Sequence, residues 1–202
     1  MRIVISGNIG SGKTSQLHLL QKQFPTNIIF PEDVEEWIKE GWLQKFYSNK
    51  EKYATGFQFR VLKSHIDIED NNFSIIERCP NITEQIFCRQ LVEDGAITPA
   101  GFRAVKEYNK MCGWVPDCYI YIRTSPEICY KRIVERSREA EKGIPLDYLK
   151  SLHEKHDEFH MKNLIETHII NGEQSKDAIF KEIMDIISQK MLIASGFINQ
   201  DK

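Results

Sequence analysis

Residues 2–6, RIVIS, run straight into Gly7-Asn8-Ile9-Gly10-Ser11-Gly12-Lys13-Thr14, and a helical pattern opens at Lys13. The run fits G-x-x-x-x-G-K-[ST] at every position, between a short buried-strand pattern and a helix. Glycines there let backbone N–H groups turn inward around phosphate oxygens. Lys13 would reach the β- and γ-phosphates, Thr14 would offer its hydroxyl to Mg²⁺, and the helix N-terminus adds a favourable dipole. The alternative is a chance glycine-rich turn, which has no reason to fall between a strand and a helix. These eight residues predict a nucleotide phosphate site and a strand–loop–helix start. They do not name a reaction, because many reactions use such a loop.

The rest of the chain continues the same alternation. Strand-like runs are expected at 2–6, 27–30, 73–76, 118–122 and 168–170, and helices at 13–24, 33–46, 50–69, 82–92, 98–111, 126–138, 145–164 and 176–191. The apolar run at 118–122 is typical of a parallel sheet core. This predicts an α/β fold of the P-loop NTPase type, with a parallel five-stranded sheet, helices on both faces and an arginine-rich lid. A single domain is expected over 1–202, with the lid at about 136–144 and a frayed tail at about 195–202. No repeat or linker interrupts it.

Composition narrows the partners. The formal net charge is −2, so no global basic field draws in nucleic acid or an anionic membrane, and a bound anion must be held locally. No apolar stretch approaches the length of a membrane span, and the start lacks a signal-peptide run. The five cysteines include no C-x-x-C pair and read as reduced, mostly buried thiols of a cytosolic protein.

Five ordered segments carry a family resemblance. Pro31-Glu32-Asp33-Val34-Glu35-Glu36-Trp37 follows the second strand, and Glu77-Arg78-Cys79 closes the third. Phe57-Gln58 lies in the helix between them. Ile120-Tyr-Ile-Arg-Thr-Ser-Pro-Glu127 covers the fourth strand and its turn. Arg132-Ile-Val-Glu-Arg136-Ser-Arg138-Glu-Ala-Glu141 leads into a helix containing Leu149, His153 and His156. In this order they resemble the P-E-P-V-x-x-W, F-Q, E-R-S and lid segments of the deoxynucleoside kinase family. The likeness covers roughly residues 2–172. It implies ATP as phosphoryl donor, Mg²⁺, a small-molecule deoxynucleoside as acceptor and a homodimer. The apolar helices at 50–69 and 82–112 would form the interface, or equally the core.

Position and resemblance together nominate the site. Glu32 would lie in the crevice at the carboxyl end of a parallel strand, where α/β ligands bind. The resemblance makes it the base that takes the 5′-hydroxyl proton; otherwise it is a surface glutamate. Arg78 would hold the 5′-oxygen and the transferring phosphoryl group, and Glu77 would help Thr14 hold Mg²⁺, unless the pair is a structural ion pair. Arg132, Arg136 and Arg138 would stabilise charge on the transferring group. With Glu135, Glu139 and Glu141 interleaved, the same charge pattern also suits a solvated helix. By resemblance, Glu141 reaches the sugar 3′-hydroxyl beside Tyr47.

Gln58 can donate and accept at a base edge, and Trp37, Phe57 and Phe87 are its candidate stacking partners, although aromatics at helical spacing are more often core. Where deoxycytidine and deoxyguanosine kinases carry an Arg–Asp pair, this chain has His65 and Thr83, with Val61 one turn before His65. The absent pair points to the thymidine-accepting branch, hence a kinase of thymidine and deoxycytidine. His65 reads as a polar pocket wall or a surface residue. Purine or broad specificity is one alternative. A thymidylate-type monophosphate kinase is another, but the D-R-x motif expected after its second strand is missing. A non-enzymatic switch would need an N-K-x-D motif, which is absent. The lack of an N-terminal extension fits a compact cytoplasmic form.

Overall fold

The computed structural model describes residues 1–68 and 72–194. The central strand is β1 (Arg2–Ser6), flanked by β3 (Ser74–Glu77) and β4 (Cys118–Arg123). Outside these lie β2 (Ile29–Phe30) and β5 (Thr167–Asn171), giving the order β2-β3-β1-β4-β5 with every pairing parallel. The predicted five-stranded parallel sheet is therefore present.

Because side chains alternate along a strand, β1 feeds two cores. Ile3 and Ile5 face Leu17 and Leu20 of α1 (Lys13–Leu20) and Ile183 and Ile187 of α10 (Lys176–Ala194). Val4 faces the other way, with Tyr119 of β4, Cys129 of α8 (Pro126–Arg136) and Leu149 of α9 (Leu146–Lys162). A third core joins α2 (Val34–Lys39), α3 (Trp42–Ser48), α4 (Lys50–Ile66) and α7 (Pro99–Cys112) around Trp37, Phe46, Phe57 and Leu62.

Several boundaries differ from expectation for local reasons. The helix expected over 33–46 is two helices, broken at Gly41, whose φ of +76° ends one and starts the other. Of the strand expected at 27–30 only Ile29–Phe30 pairs, since Thr26–Ile28 forms a 3₁₀ turn. The helix expected at 82–92 starts earlier, where Pro80 occupies a first-turn position of α5 (Pro80–Ile82). It passes through a π-helical turn, Thr83–Cys88, into α6 (Arg89–Glu93). The strand expected at 73–76 sits one residue later, so Glu77 is its last residue. α4 ends at Ile66, short of 69, and the frayed tail expected at 195–202 lies outside the described residues.

All five cysteines are free thiols, and only Cys112 is exposed. Among the described residues no helix is long and apolar enough to cross a membrane.

Candidate active site

The carboxyl ends of β1, β2 and β3 converge, and each releases a functional segment into the same crevice. From β1 comes the glycine loop. Gly10 and Gly12 hold φ of +81° and +103°, values an L side chain rarely adopts. A Cβ on Gly10 would lie 2.5 Å from the Cys129 carbonyl oxygen, so the loop packs backbone to backbone against α8. Lys13 donates to the Asn8 carbonyl at 2.8 Å and lies 3.9 Å from Glu77. Asn8 anchors the loop, donating to Leu149 O at 2.8 Å and accepting from the Ile9 N–H at 2.8 Å.

Glu77 ends β3, and Arg78 follows with φ of +62°, a left-handed conformation costing a non-glycine residue about 1–2 kcal/mol. That turn aims the guanidinium at Glu32 just past β2, with Nη1 2.5 Å from Oε2. It also lies over the Phe87 ring, 4.6 Å from the centroid. The Thr14 hydroxyl donates to both Glu77 oxygens at 3.0 Å, and the Glu32 N–H donates to Oε2 of Glu77 at 3.5 Å. Two cations and two carboxylates thus share one buried cluster.

Their protonation follows from burial and neighbours. Burial, then the charge of Arg78, pushes the Lys13 ammonium down to about 8. Burial alone would raise the Glu32 carboxyl, but the Arg78 guanidinium and the Lys13 ammonium outweigh it, and Glu32 is held below the usual range. Glu77 goes the other way. Burial and the neighbouring Glu32 charge raise it against Lys13, Arg78 and the Thr14 hydroxyl. A hard divalent cation prefers oxygen donors and would relieve a carboxyl in this position, so Thr14 and Glu77 fit Mg²⁺.

A cavity of about 550 Å³ runs from the glycine loop over this cluster into an aromatic chamber. Trp37 meets Phe57 edge to face at 5.5 Å, and Phe46 packs against Phe57 at 5.0 Å. Gln58, Val61, Thr83 and Phe87 complete the nominated wall.

The segment expected as the lid lines one side of the cavity through Arg136, Arg138 and Glu141. α8 ends in a left-handed Ser137, and a 3₁₀ turn, Glu139–Glu141, turns Glu141 inward until it is 5% exposed. Arg136 Nε donates to Glu141 Oε2 at 2.7 Å and Arg138 Nη1 to Oε1 at 3.0 Å. Arg138 also lies 3.5 Å from Glu35, while Arg132 donates to the carbonyls of Ser11 and Gly172 at 3.2 and 3.0 Å. The solvated-helix alternative holds for Glu135 and Glu139, whose partners are the exposed Lys131 and Lys142. It does not hold for Glu141. Tyr47 is half-buried near it, and desolvation and the Glu141 charge raise the phenol.

Every nominated residue lines the cavity except Gly7 and Asn8, which shape and anchor the loop from behind. His65 is buried but faces a second, polar cavity of about 400 Å³ on the far side of Glu32. Phe46 and Tyr148 also line the main cavity and were not anticipated. Their only signal was adjacency, Phe46 to Tyr47 and Tyr148 to the lid.

The chain is also similar to known proteins. A sequence model of the deoxynucleoside kinase family matches residues 3–192. A probable deoxycytidine kinase of fowlpox virus is 32% identical over 175 residues, covering 80% of this chain and 72% of that one. The thymidine kinase of ictalurid herpesvirus 1 is 26% identical over 196 residues, covering 92% and 85%. Among solved structures, a deoxyadenosine kinase from M. mycoides with dCMP and dCDP bound matches with a TM-score of 0.82. That match covers 94% of this chain and 99% of that one at 22% identity, and it speaks for the fold. The family match spans nearly the whole sequence, and this chain belongs to the deoxynucleoside kinase family.

Proposed function

We propose that the chain transfers the γ-phosphoryl group of ATP to the 5′-hydroxyl of pyrimidine deoxynucleosides, thymidine and deoxycytidine. One observation carries the reading: a single cavity joins the phosphate loop to an aromatic chamber, with Glu32 and Arg78 where the two meet. Glu32 takes the 5′-hydroxyl proton as that oxygen attacks the γ-phosphorus, and the bond to the β–γ bridging oxygen breaks, releasing ADP. Its lowered pKa keeps it ionised, the form a base needs, at the expense of some basicity. Lys13, Arg78, Arg132, Arg136 and Arg138 meet the negative charge spread over the phosphoryl oxygens. Mg²⁺, held by Thr14 and Glu77, would neutralise charge on the β- and γ-phosphates. Glu141 and Tyr47 take the sugar 3′-hydroxyl.

The pyrimidine assignment rests on the wall of the chamber. Val61 and Thr83 bring no charge to it, and His65 lies outside it, so a methyl group at C5 meets no buried ion pair. We further infer a cytoplasmic homodimer joined along α4 and α7, where Phe59 packs on Tyr108 at 5.4 Å and Met111 is 80% exposed.

The test is turnover of the four natural deoxynucleosides and of thymidine monophosphate with ATP and Mg²⁺, alongside Glu32→Gln. Thymidine and deoxycytidine are expected as acceptors. Glu32→Gln should lower kcat about 10²- to 10⁴-fold with little change in nucleoside KM. Preference for purines would overturn the base assignment, and turnover of the monophosphate alone would overturn the acceptor.

A further inference from the structure

Thymidine and deoxycytidine make opposite demands on a single amide. Along the edge a glutamine can pair with, thymine offers N3–H beside the O4 acceptor, whereas cytosine offers an N3 acceptor beside its N4 amino donor. With the ring in one pose, thymine needs the amide oxygen opposite N3 and cytosine needs the amide nitrogen there. The flip of the amide therefore decides which pyrimidine pairs well.

Gln58 is 4% exposed and stands in the cavity wall. Behind it, outside the lining of the cavity, lies the fully buried Cys88. Its Sγ–H donates to Gln58 Oε1 at 3.6 Å, within reach for the larger sulfur atom. Among the described residues this thiol is the sole hydrogen-bond partner of that amide.

The contact depends on the π-helical turn Thr83–Cys88. In a regular α-helix, a residue five positions beyond Thr83 would be rotated about 140° from it. The i→i+5 repeat of a π-turn instead brings the two onto one face, with Thr83 lining the cavity and Cys88 backing Gln58. Burial, with the charge of Glu84 adding to it, pushes the Cys88 thiol well above its usual range. The sulfur keeps its proton and remains a donor.

We propose that Cys88 is a positioning residue that sets the preference between thymidine and deoxycytidine by pinning the flip of the Gln58 amide. The inference rests on the pyrimidine reading above. A donor at position 88 favours one flip; an apolar side chain of similar size leaves both flips open.

The experiment compares kcat/KM for thymidine and for deoxycytidine in the wild type, Cys88→Val and Cys88→Ser. Wild type should favour one pyrimidine. Cys88→Val should move the ratio toward unity by about threefold, mainly through KM, as expected for loss of one weak hydrogen bond. Cys88→Ser, which retains a donor, should stay within about twofold of the wild-type ratio. A purely structural role would lower both rates by the same factor and leave the ratio unchanged in Cys88→Val, which overturns the inference. A wild-type ratio of unity, or a serine variant that shifts like the valine, overturns it as well. Wild-type protein that uses neither pyrimidine would instead overturn the reading beneath it, and the inference with it.

Discussion

The two ends of the cavity are built by different means. The end proposed for the donor is backbone: one loop of eight consecutive residues, with left-handed Gly10 and Gly12, pressed against α8 at Cys129. The end proposed for the acceptor is side chains: Glu32 after β2, Gln58 on α4, Arg78 after β3, Phe87 in the π-turn and Glu141 from the lid. A phosphate chain is the same in every reaction, so fixed N–H groups suit it. Nucleosides differ by a methyl or an amino group, and side chains can be exchanged to match. Damage to the donor end should therefore reduce turnover of all acceptors alike, and damage to the acceptor end, apart from Glu32 and Arg78 where the two ends meet, should change ratios or the Michaelis constant of the nucleoside.

The largest effect tests how far the acceptor end depends on its buried pair. Arg78→Met strands Glu32 at the cavity floor without its partner, 2.5 Å away in the native protein. It should cost about 3–5 kcal/mol of stability and abolish turnover. Adding Glu32→Gln removes the stranded charge, so the double variant should recover much of that stability with no activity. Urea unfolding of the two single variants and the double variant measures the coupling. Simple additivity would show that the pair is held for chemistry alone.

Acid should loosen both ends, through different histidines. Burial drives His160, whose Nε2 lies 2.7 Å from Ser6 Oγ beneath the glycine loop, down to about 3. His156, stacked with His160 along Tyr121, is also held well below its usual value by burial. Behind Glu32, burial takes His65 down to about 4. In each case the unfolded chain takes up the proton first. Stability is therefore full above the unfolded value near 6.5 and falls as pH drops toward the folded values. Each histidine should contribute about 1.4 kcal/mol to the loss between pH 7.5 and 5.5, roughly 4 kcal/mol for three. Thermal unfolding at the two pH values checks this, and His65→Gln should remove about a third of the drop.

Gly10→Ala tests the donor end directly. The added Cβ meets the Cys129 carbonyl at 2.5 Å and Ile133 Cγ1 at 3.1 Å, in a conformation an alanine resists. About 3 kcal/mol of stability should be lost. Among molecules that remain folded, kcat/KM for thymidine and deoxycytidine should fall by one common factor. A changed ratio would mean that the loop also shapes the acceptor site.

The same contrast governs what was legible in the sequence. The donor end was readable without any relative, because its residues are contiguous and their spacing is dictated by backbone geometry. The acceptor residues needed likeness to a family to fix their roles, since Glu32, Gln58 and Arg78 lie far apart and position alone left each open to being an ordinary surface or core residue. Phe46 and Tyr148 stayed hidden because an aromatic at helical spacing looks the same whether it faces a core or a cavity. The break at Gly41 and the π-turn at Thr83–Cys88 fell inside stretches of good helical periodicity. No composition marks an i→i+5 turn. Glu141 was ambiguous for a related reason: charge alternation describes a solvated face until the chain folds one of those charges inward.

The smallest effects separate the inner and outer layers of the lid. Glu141 is nearly buried and holds both Arg136 and Arg138, whereas Glu35, 84% exposed, touches Arg138 alone at 3.5 Å. Glu141→Gln removes the charge that binds two guanidinium groups and the acceptor proposed for the sugar, so nucleoside KM should rise about tenfold. Glu35→Ala removes one solvent-screened contact, and both KM and kcat should stay within about twofold of wild type. The two variants differ in burial more than in chemistry, as each removes a carboxylate from the same arginine. If Glu35→Ala raised the nucleoside KM as much as Glu141→Gln, the closed lid would depend on its tie to α2, and the acceptor end would have to be redrawn to include that helix. Equal rises in the KM of ATP and of the nucleoside would instead move the lid to the donor end.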